Sequence, residues 1–439
     1  MKNKAYLMIL LFLLNCSSGE DIPSPDDNTV ITEESIYTEE NRWVYEQMNH
    51  NYLWRNDMPD SLACNYNTDP VSFFKSLLSS KDRFSYSVRN TDYVGGIEEF
   101  DYGFEYQKYK SQNYGEMLQV LYVTSEKLRK NGLQRGDWLK QISVDKFIRG
   151  NIECDGFRFR DTLSIESIES RGYNQNTVYL DSIYVIDDKK VGYMCYMEFA
   201  AISDLENVMA KFYEVGIDDL ILDFRYNPGG YVKTCRYLCN SIVSEEGYGQ
   251  IFQQCTYNDI LSKEYEKETG SSKTVEYYDK PTPEDSPILG TRLYGLNLKK
   301  VYVLTSKNTA SASEATIICL RPYMEVVVIG EETYGKGVGS RTLRDKRYKY
   351  MLQPIIMRYY NANMETTPDD GIPTDIEVEG GYQTVKRELG DLNEPLLQVA
   401  VQCITGENVD NDKRMVSRSE ILDLKAVGCP SFAKEIIEY

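Results

Sequence analysis

The chain has 439 residues, 68 of them acidic against 49 basic, for a formal charge of −19, with 27% charged and 41% hydrophobic residues. That length and balance describe a globular chain of several domains; they exclude a small disulfide-stapled scaffold and an electrostatic grip on nucleic acid or anionic lipid. The single histidine, His50, excludes sites built from several imidazoles, and neither metal nor cofactor is expected.

Lys2 and Lys4 precede an apolar run from Ala5 to Leu14, too short to span a bilayer, so residues 1–15 read as a signal peptide and the chain as exported. Leu13-Leu14-Asn15-Cys16 resembles a bacterial lipobox, which makes Cys16 the lipidated first residue of the mature chain; a signal peptide with a chance cysteine is the alternative. The expected location is the outer membrane or cell surface, or the periplasm, with the lipid anchor as the only membrane contact. Residues 16–31, with Pro23 and Pro25 and nothing to bury, form a tether. Tyr37, Val44, Met48 and Tyr52 fall at helical spacing, predicting an amphipathic helix that carries His50 and opens an N-terminal helical region over 32–92.

Residues 93–185 change to short strands bounded by glycines, with a helix over Ser125 to Asn131 ahead of Gly132-Leu133-Gln134-Arg135-Gly136-Asp137-Trp138-Leu139. This segment resembles the PDZ domain, in which an extended peptide adds as a strand at a sheet edge. On that reading Tyr102-Gly103-Phe104 is the loop for a terminal carboxylate; a β-rich domain that binds nothing is the alternative.

Over 186–385 strands and helices alternate as in an α/β core. Strands are expected at Asp219 to Phe224, Val301 to Thr305, Val326 to Ile329 and Tyr350 to Tyr359, and helices at Tyr231 to Val243 and Ala310 to Leu320. Thr256 to Leu293, charged and rich in tyrosine, reads as a surface insertion, a hairpin beside the cleft, and 386–439 is a C-terminal extension. Of the 10 cysteines, Cys16 aside, an odd number remains without a C-x-x-C pair, so they are read as structural thiols. The 36 tyrosines serve as half-polar filler or suggest carbohydrate contact.

Three segments close predicted strands: Asp223-Phe224-Arg225-Tyr226-Asn227-Pro228-Gly229-Gly230; Thr305 to Glu314, ending Thr309-Ala310-Ser311-Ala312-Ser313-Glu314; and Gly330 to Ser340, containing Gly335-Lys336-Gly337. In this order they resemble the carboxyl-terminal processing (tail-specific) serine proteases, over roughly residues 93 to 385. The resemblance implies a crotonase-like (ClpP/crotonase) α/β core beside the PDZ-like domain, with Ser311 as nucleophile and Lys336 as base; the N-terminal helical cap and the C-terminal extension lie outside it.

The chemistry agrees. A serine hydroxyl needs a base, this part of the chain has no histidine, and a lysine qualifies once desolvation lowers its pKa. Ala312, at the start of a helix, offers an oxyanion N–H, with a second from the Gly229-Gly230 turn, for which Gly229 is favoured. An N-cap role competes for Ser311, and Ser313 competes as nucleophile. Ser340 stands where the family often has a glutamine orienting the lysine. Gly371-Ile372-Pro373-Thr374-Asp375 resembles a family segment near the end of the core, and Asp223, Arg225 and Asn227 brace the first turn. The expected activity is that of an exported serine endopeptidase acting on unfolded or C-terminally presented polypeptides through an acyl-enzyme; the rival is a catalytically inactive peptide- or glycan-binding surface lipoprotein of the same fold.

Overall fold

The computed structural model describes residues 33–89, 102–153, 156–165, 177–286, 289–378, 386–407, 424–427 and 430–431. The leader, Cys16 and the tether lie outside the described residues. The central sheet has six strands in the order Ile376–Glu377, Glu325–Gly330, Lys300–Thr305, Asp219–Asp223, Lys189–Tyr196, Val178–Ile186. All neighbours are parallel except the last pair. Side chains leave a strand alternately to its two faces. Leu220, Leu222, Val301 and Val303 therefore meet the helices Ile202–Val215, Val232–Ile242 and Ala312–Leu320, while Ile221, Tyr302 and Leu304 meet the helix Pro395–Thr405 on the other face. Both faces are covered, which is why the central residues of these strands, Leu220 to Leu222 and Val301 to Leu304, form near-continuous apolar runs.

Register pairs Leu304 with Asp223 and Thr305 with Gly330, so the three motif turns leave the sheet side by side at the C-terminal ends of parallel strands. The strand Val178–Ile186 belongs to this sheet rather than to the β-rich unit, which moves the expected boundary near 185 back before residue 178. The C-terminal extension is split between units, its helix covering the core.

The β-rich unit is an antiparallel sheet in the order Leu424–Ala426, Phe104–Ser111, Gly115–Val123, Trp138–Ser143, Lys146–Glu153, Gly156–Ser164. Its helix, Glu126–Lys130, is capped by the Ser125 side chain, which accepts from the N–H of Leu128. The glycine turn after it, with Gly136 at φ 88°, delivers Trp138 into the next strand. Gly103 turns with φ 75°, and its carbonyl oxygen accepts the N–H groups of Thr124 and Ser125. The free edge of Phe104–Ser111, where a peptide would add, is occupied: the chain's own Leu424–Ala426 pairs along it, Val427 N–H donates to Lys108 O and Tyr106 N–H to Ser431 Oγ.

The expected strand over Tyr350 to Tyr359 is two strands. Pro354 has no N–H to give to a ladder, and the chain changes sheets there. Tyr350–Gln353 joins Tyr86–Arg89 and Leu343–Asp345; Ile355–Tyr360 lies between Ile251–Tyr257 and Val338–Ser340, with Thr274–Tyr277 beyond. The expected insertion over 256–293 is correspondingly more than a hairpin. Asn258 caps a helix, Asp259–Thr269, by accepting from the N–H groups of Ile260 and Leu261, and Gly270 at φ 77° ends it. This helix touches the N-terminal helix Glu33–Asn51 through His50–Glu264 and, just beyond it, Arg55–Asp259, at 2.9 and 2.7 Å. Val44, Met48 and Tyr52 are buried against Phe73, Phe74, Tyr350 and Leu352, which seats the N-terminal region on the core. The seven described cysteines are free thiols.

Candidate active site

Ser311 sits at the N-cap of the helix Ala312–Leu320 with φ 55° and ψ −112°, a conformation costly for a residue with a Cβ and one that concentrates at functional sites. Two features hold it there. Ala310 N–H donates to the carbonyl of Asn227, and Gly229 lies so close that a Cβ on it would come within 2.7 Å of the Ser311 Cβ and 2.9 Å of the Ala312 nitrogen. Only glycine, here at φ 108°, fits that approach. Ser313, the rival nucleophile, is fully buried, and its hydroxyl donates to Asn227 O at 3.0 Å, so it faces the core.

The first motif supplies the frame. Asn227 donates its amide to Tyr196 O; Arg225 Nε donates to Asp223, and its guanidinium clasps the Glu394 carboxylate. Burial works to raise the Glu394 carboxyl, but Arg225 and Arg135 hold it down at about 2. This buried pair ties the first motif turn to the C-terminal helix.

Glu314, the last residue of the second motif, has a role that the motif alone does not reveal. It is fully buried, and its carboxylate accepts four hydrogen bonds. Thr333 Oγ1 and Gly335 N–H reach Oε1 at 2.6 and 2.7 Å; Ser311 N–H and Lys336 N–H reach Oε2, each at 2.8 Å. The nucleophile turn and the lysine loop are thus fastened to one carboxylate, and their main-chain nitrogens lie within two hydrogen-bond lengths of each other. The signal was available, since a Glu three residues after a Ser at a helix start is the capping-box spacing. Burial pushes this carboxyl up, and the four donors pull it back only in part.

Lys336 is half-buried, and desolvation lowers its amine from the usual lysine range to about 8, against the opposing pull of Glu314 and Asp82. Among the described residues the amine is in no hydrogen bond, Ser311 and Ser340 included; contacts of this kind often tighten only with substrate in place. Ser340, expected to orient the lysine, is turned elsewhere: its Oγ accepts from Gln353 Nε2 at 2.9 Å.

The oxyanion expectation divides. Ala312 is the first residue of its helix, so its N–H has no partner within the helix and lies at the positive end of the dipole. The Gly229 N–H is already donated to Asn227 Oδ1 at 2.9 Å, which corrects the preference for it; the Gly230 N–H makes no hydrogen bond among the described residues.

The N-terminal region reaches this site, which the sequence reading did not foresee. Arg83 donates to the carbonyls of Gly335 and Asp369 at 3.1 and 2.7 Å, and the Phe84 ring centroid lies 5.6 Å from the Lys336 Nζ.

Residues 190–378 match peptidase family S41, and residues 39–86 match the peptidase S41 N-terminal domain; together they take in more than half of the chain. The second match brings the helical region, expected to stand outside the family likeness, into it. A CtpA-like serine protease of Staphylococcus epidermidis is 22% identical over 206 residues, covering 46% of this chain and 37% of the relative. One from Staphylococcus aureus (strain COL) is 22% identical over 264 residues, covering 57% and 47%. The chain therefore spans well under two thirds of the length of these curated relatives. A crystal structure assigned to an S41 protease of Bacteroides fragilis superposes with a TM-score of 0.69 at 26% identity, over 83% of this chain and 97% of that one.

Proposed function

The chain belongs to peptidase family S41; from that premise we propose that it is a serine endopeptidase of the carboxyl-terminal processing type, working through a Ser311/Lys336 dyad. The observation that carries this reading is the Glu314 carboxylate, which holds the strained Ser311 turn and the Lys336 loop together, beside an amine lowered to about 8. Ser311 Oγ attacks the peptide carbonyl carbon while Lys336 Nζ takes its proton. The tetrahedral oxyanion is met by the N–H of Ala312 and, from the glycine turn, that of Gly230. Collapse breaks the C–N bond, the lysine returns the proton to the leaving amine, and water, deprotonated by the same amine, cleaves the Ser311 ester.

The substrates are unfolded or C-terminally presented polypeptides. The β-rich unit presents them in PDZ-like fashion, in competition with the segment Leu424–Ala426 for the edge of Phe104–Ser111. The core is crotonase-like, and the mature chain is exported and anchored through Cys16. Incubation of the mature chain with an unfolded protein tests the dyad: Ser311→Ala and Lys336→Ala abolish cleavage while Ser313→Ala retains it. Wild-type turnover by folded Ser311→Ala refutes the assignment, and loss of none of the activity in Lys336→Ala refutes the base. The non-catalytic binding reading stands only if the wild-type chain is itself inert.

A further inference from the structure

We propose that the N-terminal region completes the base: Phe84 is a positioning residue whose ring closes over the Lys336 amine and keeps water from it. The inference rests on the reading of Lys336 as the base. Phe84 is 7% exposed and packs with Val338 and Ile355, and with Leu53, Trp54 and Tyr334 at the margin. It reaches the lysine from more than 250 residues away in sequence, and three ties fix it there.

The Asp82 carboxylate accepts the N–H groups of Phe84 and Ser85 at 2.8 and 2.9 Å, which sets the turn. Arg83 donates to Gly335 O, immediately before the lysine, and stacks over both Phe84 and Tyr334, at 5.0 and 5.9 Å from their centroids. Ser85 Oγ accepts the N–H of Ile355 at 2.8 Å. A surface loop resting on the core would not need all three.

The charges that act on the amine are Glu314 from the nucleophile helix and Asp82 from the Phe84 segment; Arg83, which donates to Gly335 O and Asp369 O, Tyr359, whose hydroxyl donates to Lys336 O at 3.4 Å, and the Arg358–Asp369 pair at 3.6 Å belong to the surrounding lysine loop and the elements packed on it. None hydrogen-bonds the amine. The ring acts in two senses: its face favours an ammonium, and its bulk excludes water and so favours the neutral amine. Desolvation is the largest influence on Lys336, ahead of the pull of Glu314 and Asp82, and the buried ring beside the amine is placed to contribute to it.

The test uses the mature chain with Phe84→Ala and the milder Phe84→Val, each checked by thermal melt. Two readouts are taken: the pH profile of kcat/KM on a peptide, and, in a Ser311→Ala background, the pH dependence of Lys336 labelling by dinitrofluorobenzene, mapped by mass spectrometry. Both midpoints rise, by about one pH unit in Phe84→Ala and by less in Phe84→Val. A folded Phe84→Val or Phe84→Ala chain with an unmoved labelling midpoint overturns the proposal, because a purely structural residue would change rate or melting without moving it. A labelling midpoint that rises while the activity profile stays still upholds the shield and instead sinks Lys336 as the base.

Discussion

Glu314→Gln is nearly isosteric and probes the brace without opening a cavity. If the new amide nitrogen faces Ser311 and Lys336, it confronts two N–H donors, both of which lose their acceptor. If it faces Thr333 and Gly335, the Thr333 hydroxyl, which already accepts the N–H of Ile372 at 2.7 Å, can accept again, and only the Gly335 N–H is stranded. The second orientation wins, at about 1–3 kcal/mol for one unsatisfied buried amide. Glu314→Ala strands all four donors and costs several times that. If it falls on the positioning of the nucleophile and base, the Gln cost corresponds to a roughly 5- to 150-fold lower maximal kcat/KM. The pH response has a sign of its own. Glu314 is a negative charge that favours the Lys336 ammonium, so its removal lowers the amine below about 8 and moves the acid limb of kcat/KM to lower pH. Profiles of wild type and Glu314→Gln on one chromogenic peptide check this. A limb that stays in place or moves up refutes the reasoning, and the direction is opposite to that expected of Phe84→Ala.

Deleting residues 424–439 uncovers the edge of Phe104–Ser111 and exposes the cluster of Tyr109, Met117 and Trp138 that buries Leu424. The loss is about 2 kcal/mol for that leucine alone, seen as a lower melting temperature, and the truncated chain gains binding of a labelled peptide with the sequence of residues 421–433. An anisotropy titration in which the truncated chain binds no better than the full one contradicts the pairing. Cys16→Ala releases the chain from the membrane fraction or stalls its maturation; a wild-type chain shown by mass spectrometry to begin elsewhere, unmodified, removes the lipid anchor.

What was legible in the sequence followed from local chemistry. The strand Asp219–Asp223, apolar between its two terminal aspartates, the helix that begins after Ser311 and the glycine turns each announce themselves within a dozen residues, and the three turns then meet because parallel strands align their ends. What escaped depends on pairs far apart. Phe84 carries no signal of its own as a lid, since only the packed Tyr86–Arg89 and Tyr350–Gln353 strands bring it to the lysine loop. Leu424–Ala426 is three residues with no period to read, and becomes a strand because it supplies the outer edge of Phe104–Ser111, whose other edge is taken by Gly115–Val123. Ser340 and Gly229 were placed by motif position alone. Hydrogen bonds from Gln353 and to Asn227 decide their actual roles, and such bonds are not written in spacing.

The tail strand also sets an order in time. Tyr106 and Ser431 are hydrogen-bonded across 325 positions, so Phe104–Ser111 leaves the ribosome long before its outer partner exists. At the usual rate of synthesis that interval is roughly 15 to 60 s. Throughout it the sheet presents a row of unsatisfied N–H and C=O groups beside the apolar Tyr109, an edge that other strands can pair with. The small sheet is therefore among the last parts of the molecule to be finished, and any factor that escorts the unfolded chain has this edge to cover.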